Sequence, residues 1–178
     1  FPLGSIATGS GNNQFNNPGQ IAIDPSGNLY IVDSGNDRIK KHDSTGTLLD
    51  ASSLSDVSSS GIPTGVAVDG SGNIYYTMRN ANIPRIKKCN AAFADQWGEK
   101  LQGVGGTGNL GGHLAVASGK LYNTDPSNHK WFARNASDGS GMVGYGSAGS
   151  GDGQLDTPVG IASDGTYVYV VDQGNDRI

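Results

Sequence analysis

Cysteine, glutamate and long apolar runs are all scarce in this chain, and each scarcity excludes something. Cys89 is the only cysteine, so no disulfide forms within the chain, and nothing beside it suggests an activated thiolate. Of the 16 acidic residues, 15 are Asp and one, Glu99, is Glu. Asp favours turns and caps, whereas Glu favours helix interiors, so short strands joined by polar turns are expected over a helical bundle. No apolar stretch reaches the roughly 20 residues of a membrane-spanning helix. Charge is sparse at 16% of residues, with a net value of -4. That balance argues against a general polyanion binder, which needs clustered Lys and Arg, and nucleic acid is not an expected partner. The densest basic stretch, from Arg79 to Lys88, reads as a solvated strand face.

Glycine, by contrast, is abundant, with 29 in 178 residues. A Ser/Gly/Asn-rich, Lys-poor surface suits a secreted or cell-surface protein. Asn135-Ala136-Ser137 supplies one glycosylation acceptor pattern, at Asn135. Phe1 is not an initiator Met, so a processed or excised N-terminus is expected.

The main signal is an internal repeat. Residues 18–43, 63–90 and 158–178 share turns as well as apolar positions, and residues 111–135 hold a worn copy. Pro18 and Pro63 lie 45 residues apart, and Pro63 and Pro158 lie 95 apart across two copies. In each copy a short apolar strand (Ile21–Ile23, Val66–Val68, Leu114–Val116, Ile161–Ala162) precedes an Asp/Gly turn such as Asp24–Asn28 or Asp69–Asn73. A second strand rich in aromatic and branched residues follows, then a third at Arg38–Lys41 or Arg85–Lys88, then a looser fourth. Four short strands per unit, with no room for a crossover helix, describe one propeller blade. The fold class is all-β: antiparallel four-stranded blades, about four in this chain. The units span approximately 9–54, 55–100, 101–146, and 147–178 with 1–8.

The copies share further motifs. A glycine-rich linker reads Gly9-Ser10-Gly11-Asn12-Asn13-Gln14-Phe15 and Gly149-Ser150-Gly151-Asp152-Gly153-Gln154-Leu155. The inner strands carry P-x-G-[IV]-A, the second strands G-N-[LI]-Y, and two copies end in D-x-G-N-D-R-I. With these motifs the sequence resembles the NHL-repeat family of β-propellers over nearly its whole length. The third copy departs most: Asn128-His129-Lys130-Trp131 stands where the first has Asn36-Asp37-Arg38-Ile39. The resemblance implies that Asp37/Arg38 and Asp176/Arg177 tie strands together. The last copy stops at Ile178 as its third strand should begin, while Phe1–Thr8 reads as an outer strand. Three expectations follow: part of a larger, possibly six-bladed, propeller; a closed four-bladed ring; or a terminal strand that completes a neighbouring copy's blade.

Few residues suggest chemistry. His42 reads as part of a solvated strand face, and His129 as a turn residue in the place of Asp37. His113 begins an inner strand, where propellers line a central channel, with Gln20, Thr64 and Val159 near equivalent positions. One histidine does not make a metal site, so no metal, cofactor or catalytic residue is expected. The resemblance also includes propeller lyases with several histidines around a zinc ion, and RNA-binding members with a basic face; this chain offers one histidine and an acidic balance. Gly103–Gly108 matches G-x-G-x-x-G on paper, without the βαβ context that gives it meaning, and reads as a worn linker. Asp24, Asp69, Asp138 and Asp152 are expected to cap turns rather than to bind calcium. Trp97 and Trp131 are expected in blade-to-blade packing at equivalent outer positions.

The expectation is therefore a non-catalytic extracellular module that binds protein or glycan on the face around Gln20, Thr64 and His113. A fragment of a propeller lyase or lactonase-type hydrolase is the alternative class, and a self-associating structural subunit is the third.

Overall fold

The computed structural model describes residues 8–53, 61–79, 85–100 and 112–178. The linker reading of Gly103–Gly108 and the outer strand expected before Thr8 lie outside them. Three four-stranded antiparallel sheets and one two-stranded sheet follow in chain order. Blade 1 holds β1 (Pro18–Ile23), β2 (Leu29–Asp33), β3 (Arg38–His42) and β4 (Leu48–Ser53). Blade 2 holds β5 (Ile62–Val68), β6 (Ile74–Arg79), β7 (Arg85–Cys89) and β8 (Asp95–Lys100). Blade 3 holds β9 (Leu114–Ala117), β10 (Lys120–Asp125), β11 (Lys130–Asn135) and β12 (Val143–Tyr145). Blade 4 contributes β13 (Pro158–Ser163) and β14 (Val168–Asp172). Each sheet is a simple meander, as the four-strand repeat predicts. The inner strands β1, β5, β9 and β13 neighbour one another in that order, and closure of β13 onto β1 is not seen among the described residues. The molecule is a partial propeller.

The repeated Asp turns set the first hairpin of blades 1, 2 and 4, while Ser118-Gly119 makes that turn in blade 3. Asp24 Oδ1 accepts from the backbone N–H groups of Ser26 and Asn28 at 2.9 Å, and its Oδ2 accepts from Asn28 Nδ2 and the Tyr30 hydroxyl. Asp69 repeats this set with Ser71, Asn73 and Tyr75. Asp164 keeps the tyrosine bond, from Tyr169, at 2.9 Å. The carboxylate thus holds both the turn and the first residues of the second strand, which is the capping role expected of Asp here.

Alternation along the strands gives every sheet two apolar faces. One face carries an Ala–Tyr pair: Ala22 with Tyr30, Ala67 with Tyr75, Ala115 with Tyr122, and Ala162 with Tyr169 are cross-strand partners in blades 1 to 4. The opposite face is aliphatic. Tyr30 and Val32 of blade 1 pack with Val66, Ile74, Tyr76 and Met78 of blade 2 in one buried cluster. Ala67, Tyr75 and Ile86 of blade 2 pack with Leu114 and Leu121 of blade 3 in a second. Threonines add a polar stitch: the Thr77 hydroxyl donates to Gly112 O, and the Thr124 hydroxyl to Val159 O at 2.8 Å.

Several expectations are corrected here. Arg38 does not pair with Asp37. Its Nε donates to Asp33 Oδ2 at 2.7 Å, and Arg177 repeats the bond to Asp172. Asp37, His129 and Asp176 instead adopt left-handed backbone (φ 52°, 54° and 52°) after a 3-10 turn, a conformation that short polar side chains tolerate. His42 is buried rather than solvated, with Nδ1 donating to Gly46 O at 3.0 Å beside the Phe15 ring. In the basic stretch Lys87 is buried and Lys88 lies over the Tyr75 ring, so that segment is packed against its blade. Trp131 packs within its own blade, stacked on Tyr145 with ring centroids 4.1 Å apart. It sits on a third strand whereas Trp97 sits on a fourth, so the two are not equivalent. Cys89 is fully buried and free of any disulfide.

The buried Asp33 carboxylate also accepts from Asn16 N and Asn36 Nδ2, so it joins linker, turn and third strand. Asp33→Ala is expected to cost about 3 kcal/mol in urea unfolding, because it strands the Arg38 charge and two other donors. Asp37→Gly, which relieves a left-handed non-glycine residue, is expected to stay within about 0.5 kcal/mol of wild type. Equal losses at the two positions would contradict the assignment.

Candidate functional site

Chain direction brings two kinds of loop to one end of the blades: the segments leading into the inner strands and the turns after the second strands. Between blades 1, 2 and 3 these loops enclose a cleft of about 490 Å³. Asn17, Pro18 and Gly19 form one wall with Ser34 and Gly35; Ile62, Pro63, Thr64 and Arg79 form the second; Pro126 and Ser127 close the third.

Local backbone chemistry fixes these walls. Asn17 adopts a left-handed conformation (φ 48°) immediately before Pro18. Its carbonyl accepts from the Ser34 hydroxyl, and its Nδ2 donates to Ser34 Oγ at 3.3 Å. Gly35 N donates to Asn16 O at 2.8 Å, and Asn16 Nδ2 returns a bond to Gly35 O. A Cβ at Gly35 would lie 2.5 Å from Asn16 Cγ, so the close approach of turn and linker requires glycine there. Behind the wall, Lys40 Nζ donates to the carbonyls of Gly11, Asn12 and Gln14 at 3.0, 2.9 and 2.6 Å and lies over the Phe15 ring. Arg177, at the position of Arg38, likewise reaches the last copy's linker, donating to the Ser150, Gly151 and Gln154 carbonyls.

Of the three residues expected to form a ligand site, one lines this cleft. Thr64 lies in the cleft, and its hydroxyl is 3.0 Å from that of Thr77. Gln20 and His113 do not line it. Their register explains this: Gln20, Gly65, His113 and Gly160 each stand immediately before the aliphatic–Ala pair, while Thr64 and Val159 stand one residue earlier. Gln20 is a clasp across three blades. Its Oε1 accepts from Val66 N at 3.1 Å and Leu114 N at 2.9 Å, and its Nε2 donates to Leu114 O at 2.6 Å. It passes over Gly65, where a Cβ would meet Gln20 Oε1 at 3.1 Å and Gly112 O at 2.9 Å. Asn135 closes the hairpin after β11, accepting from Lys120 Nζ at 2.7 Å and donating to Ser140 Oγ at 3.0 Å.

Two ionisable groups near this end have shifted pKa values. Burial lowers that of His113 below the usual histidine value, so its imidazole is neutral at neutral pH. Burial raises that of Asp125, next to Pro126, against the opposing hydrogen bonds from Asn128. Sequence reasoning missed Arg79 as a cleft residue, having grouped it with the strand lysines. Its distinguishing signal is position, at the end of a second strand where the first copy has Ser34. Among the described residues no group of three or more His, Cys, Asp or Glu side chains is placed to hold a metal ion.

Comparison with known proteins agrees with this architecture. The NHL repeat model matches residues 15–41. The chain carries an NHL repeat. Among solved structures, the chain is similar to one in a nidogen/laminin complex, with 22% identity and a TM-score of 0.67 over 90% of this chain and 57% of that one. It is also similar to virginiamycin B lyase from Staphylococcus aureus, with 14% identity and a TM-score of 0.65, covering 87% of this chain and 48% of the lyase. Glutaminyl cyclase from Myxococcus xanthus shows 13% identity and a TM-score of 0.60, with 85% and 59% covered. The chain thus spans between 48% and 59% of these three, and at these identities the likeness is one of fold. A search of curated proteins returned no match. No helix among the described residues is long and apolar enough to cross a membrane.

The shifted groups make stability depend on pH in two windows. A histidine with a lowered folded pKa contributes stability above its unfolded value, about 6.5, and loses it as pH falls further. In the turns, burial raises the Asp24 and Asp69 carboxyls, but hydrogen bonds from Asn28 and Asn73, with Ser and Tyr bonds added, outweigh it and hold both below 3.8. Their contribution is present above about 4 and lost below. The urea midpoint is expected to decline first below about pH 6.5 and again below about 4. His113→Gln is expected to remove the upper decline and keep the lower; an unchanged upper decline would contradict burial of His113 as its cause.

Proposed function

We propose that this chain is a binding module rather than an enzyme by itself, and that it takes an extended, carboxylate-bearing segment of a partner protein in the cleft of blades 1 to 3. One observation carries the reading: the cleft sets a guanidinium, Arg79, among proline walls and short hydroxyl and amide side chains. Pro18, Pro63 and Pro126 offer apolar contact without backbone donors. The exposed Arg79 carries the charge that matches a carboxylate, at the rim of a cleft otherwise lined by uncharged residues. The similarity to a chain of a nidogen/laminin complex supports protein as the class of partner. A secreted or cell-surface location rests on the Lys-poor, Ser/Gly/Asn-rich composition and the Asn135 acceptor pattern.

A second reading has one observation in its favour. His113 is a neutral, half-buried imidazole at the start of an inner strand, suited to general-base work. Under that reading the chain is part of a propeller lyase or hydrolase, in line with its likeness to virginiamycin B lyase and glutaminyl cyclase.

Selection of displayed random peptides on the chain discriminates the two. Acidic peptides with flanking apolar residues are expected to be enriched, and Arg79→Glu is expected to weaken the selected peptides about tenfold or more, with His113→Ala leaving them unchanged. Peptides that bind wild type and Arg79→Glu equally, or no enrichment at all, would overturn the cleft as the binding site.

A further inference from the structure

Arg134 is the largest fully buried side chain among the described residues, and one of its partners is a sulfur atom. It stands on β11 opposite Leu121, on the face that packs against blade 2. That face lies between two four-stranded blades in the middle of the chain. Arg134 Nη2 donates to Asn123 Oδ1 at 3.4 Å and to Met142 Sδ at 3.2 Å. A guanidinium offers five N–H donors, and a thioether sulfur is a weak acceptor.

Met142 immediately precedes β12 and is 39% exposed. The chain's other methionine, Met78, is 3% exposed inside the cluster of blades 1 and 2. The arginine–methionine contact is not imposed by the repeat. The same register holds His42 beside Leu48 in blade 1 and Cys89 beside Asp95 in blade 2. Blade 3 alone sets an accessible thioether against a buried cation.

We propose that Met142 is an oxidation site that takes a peroxide, and that Arg134 receives the sulfoxide it becomes. A lone pair of Sδ attacks one oxygen of hydrogen peroxide and the O–O bond breaks. The other oxygen leaves as water once the proton has moved to it. Sulfur gives up two electrons, the peroxide gains them, and the thioether becomes a sulfoxide. In an apolar cluster such a group lacks donors and disrupts packing. Here a guanidinium already touches the sulfur. Methionine's unbranched side chain turns easily, so the new oxygen takes the place of sulfur before Nη2 and accepts a charge-assisted bond. The hairpin after β11 lies at the end of the blades away from the cleft, so the site is independent of what the cleft binds.

Timed treatment of the 178-residue chain with hydrogen peroxide, read by mass spectrometry of its proteolytic peptides, tests the site. Met142 is expected to gain one oxygen about tenfold faster than Met78 or more, because Met78 reacts only when its cluster opens. The urea midpoint of the singly oxidised chain is expected to equal or exceed that of the untreated chain. Two variants at this exposed position separate access from reception. Met142→Leu has no sulfur to oxidise, and Met142→Gln offers Arg134 an amide oxygen without any oxidant. Met142→Gln is expected to unfold at a higher urea concentration than Met142→Leu. Equal oxidation rates at the two methionines would overturn the site. A midpoint that falls on oxidation, or Met142→Gln less stable than Met142→Leu, would overturn Arg134 as the receiving group.

Discussion

Each described blade carries apolar side chains on both faces, and packing against a neighbouring blade is what buries them. That single constraint accounts for the repeat. An alanine beside the tyrosine on one face leaves space for the aliphatic residues of the next sheet, and in blades 1, 2 and 4 the tyrosine hydroxyl reaches back to a turn aspartate at the sheet edge. The ring of Tyr30 or Tyr75 is buried while its polar end stays satisfied, which is the arrangement a buried tyrosine requires. Gln20 adds a polar clasp at the inner end, joining strands from three blades through their backbones.

Few cations serve a chain with so many carbonyl-rich linkers, and they are placed accordingly. Lys40 and Arg38 both reach the Gly9–Phe15 linker, and Arg177 reaches the Gly149–Leu155 linker. The glycines of these linkers offer no side chains to pack, and charge-assisted bonds to the linker carbonyls fix the segments. The same linkers lead into Asn17 and Pro18, so the wall of the candidate cleft inherits its position from Lys40 and from the Asp33–Arg38 pair. Structure and candidate function meet at that wall.

Much of the fold was legible because it is local. Strand alternation, Asp–Gly turns and the recurrence of both read directly as hairpins, and the third copy's His129 was correctly placed in the turn position of Asp37. What stayed hidden depends on distance in the chain. The acid facing Arg38 is five residues back rather than adjacent, because a 3-10 turn at Ser34–Asn36 brings Asp33 across the hairpin. His42 looked solvated between Lys41 and Asp43, yet alternation turns it inward beneath the linker that carries Phe15. Gln20 looked like a channel residue open to ligand; its partners are 46 and 94 residues away, beyond the reach of any local pattern. Arg79 gained its place in the cleft from loops of three separate blades, which no single copy of the repeat reveals.

Blade stacking makes a direct demand on local stability. Strands sandwiched between two blades should open only with the whole molecule, and strands on the end faces should open more readily. Native-state hydrogen exchange in dilute protein measures this strand by strand. Amides of β6 and β10, which lie between neighbours on both sides, are expected to exchange slowest, with those of β14 and the free side of β1 exchanging faster. Equal protection of β14 and β6 in monomeric protein would contradict face-to-face packing as the source of stability.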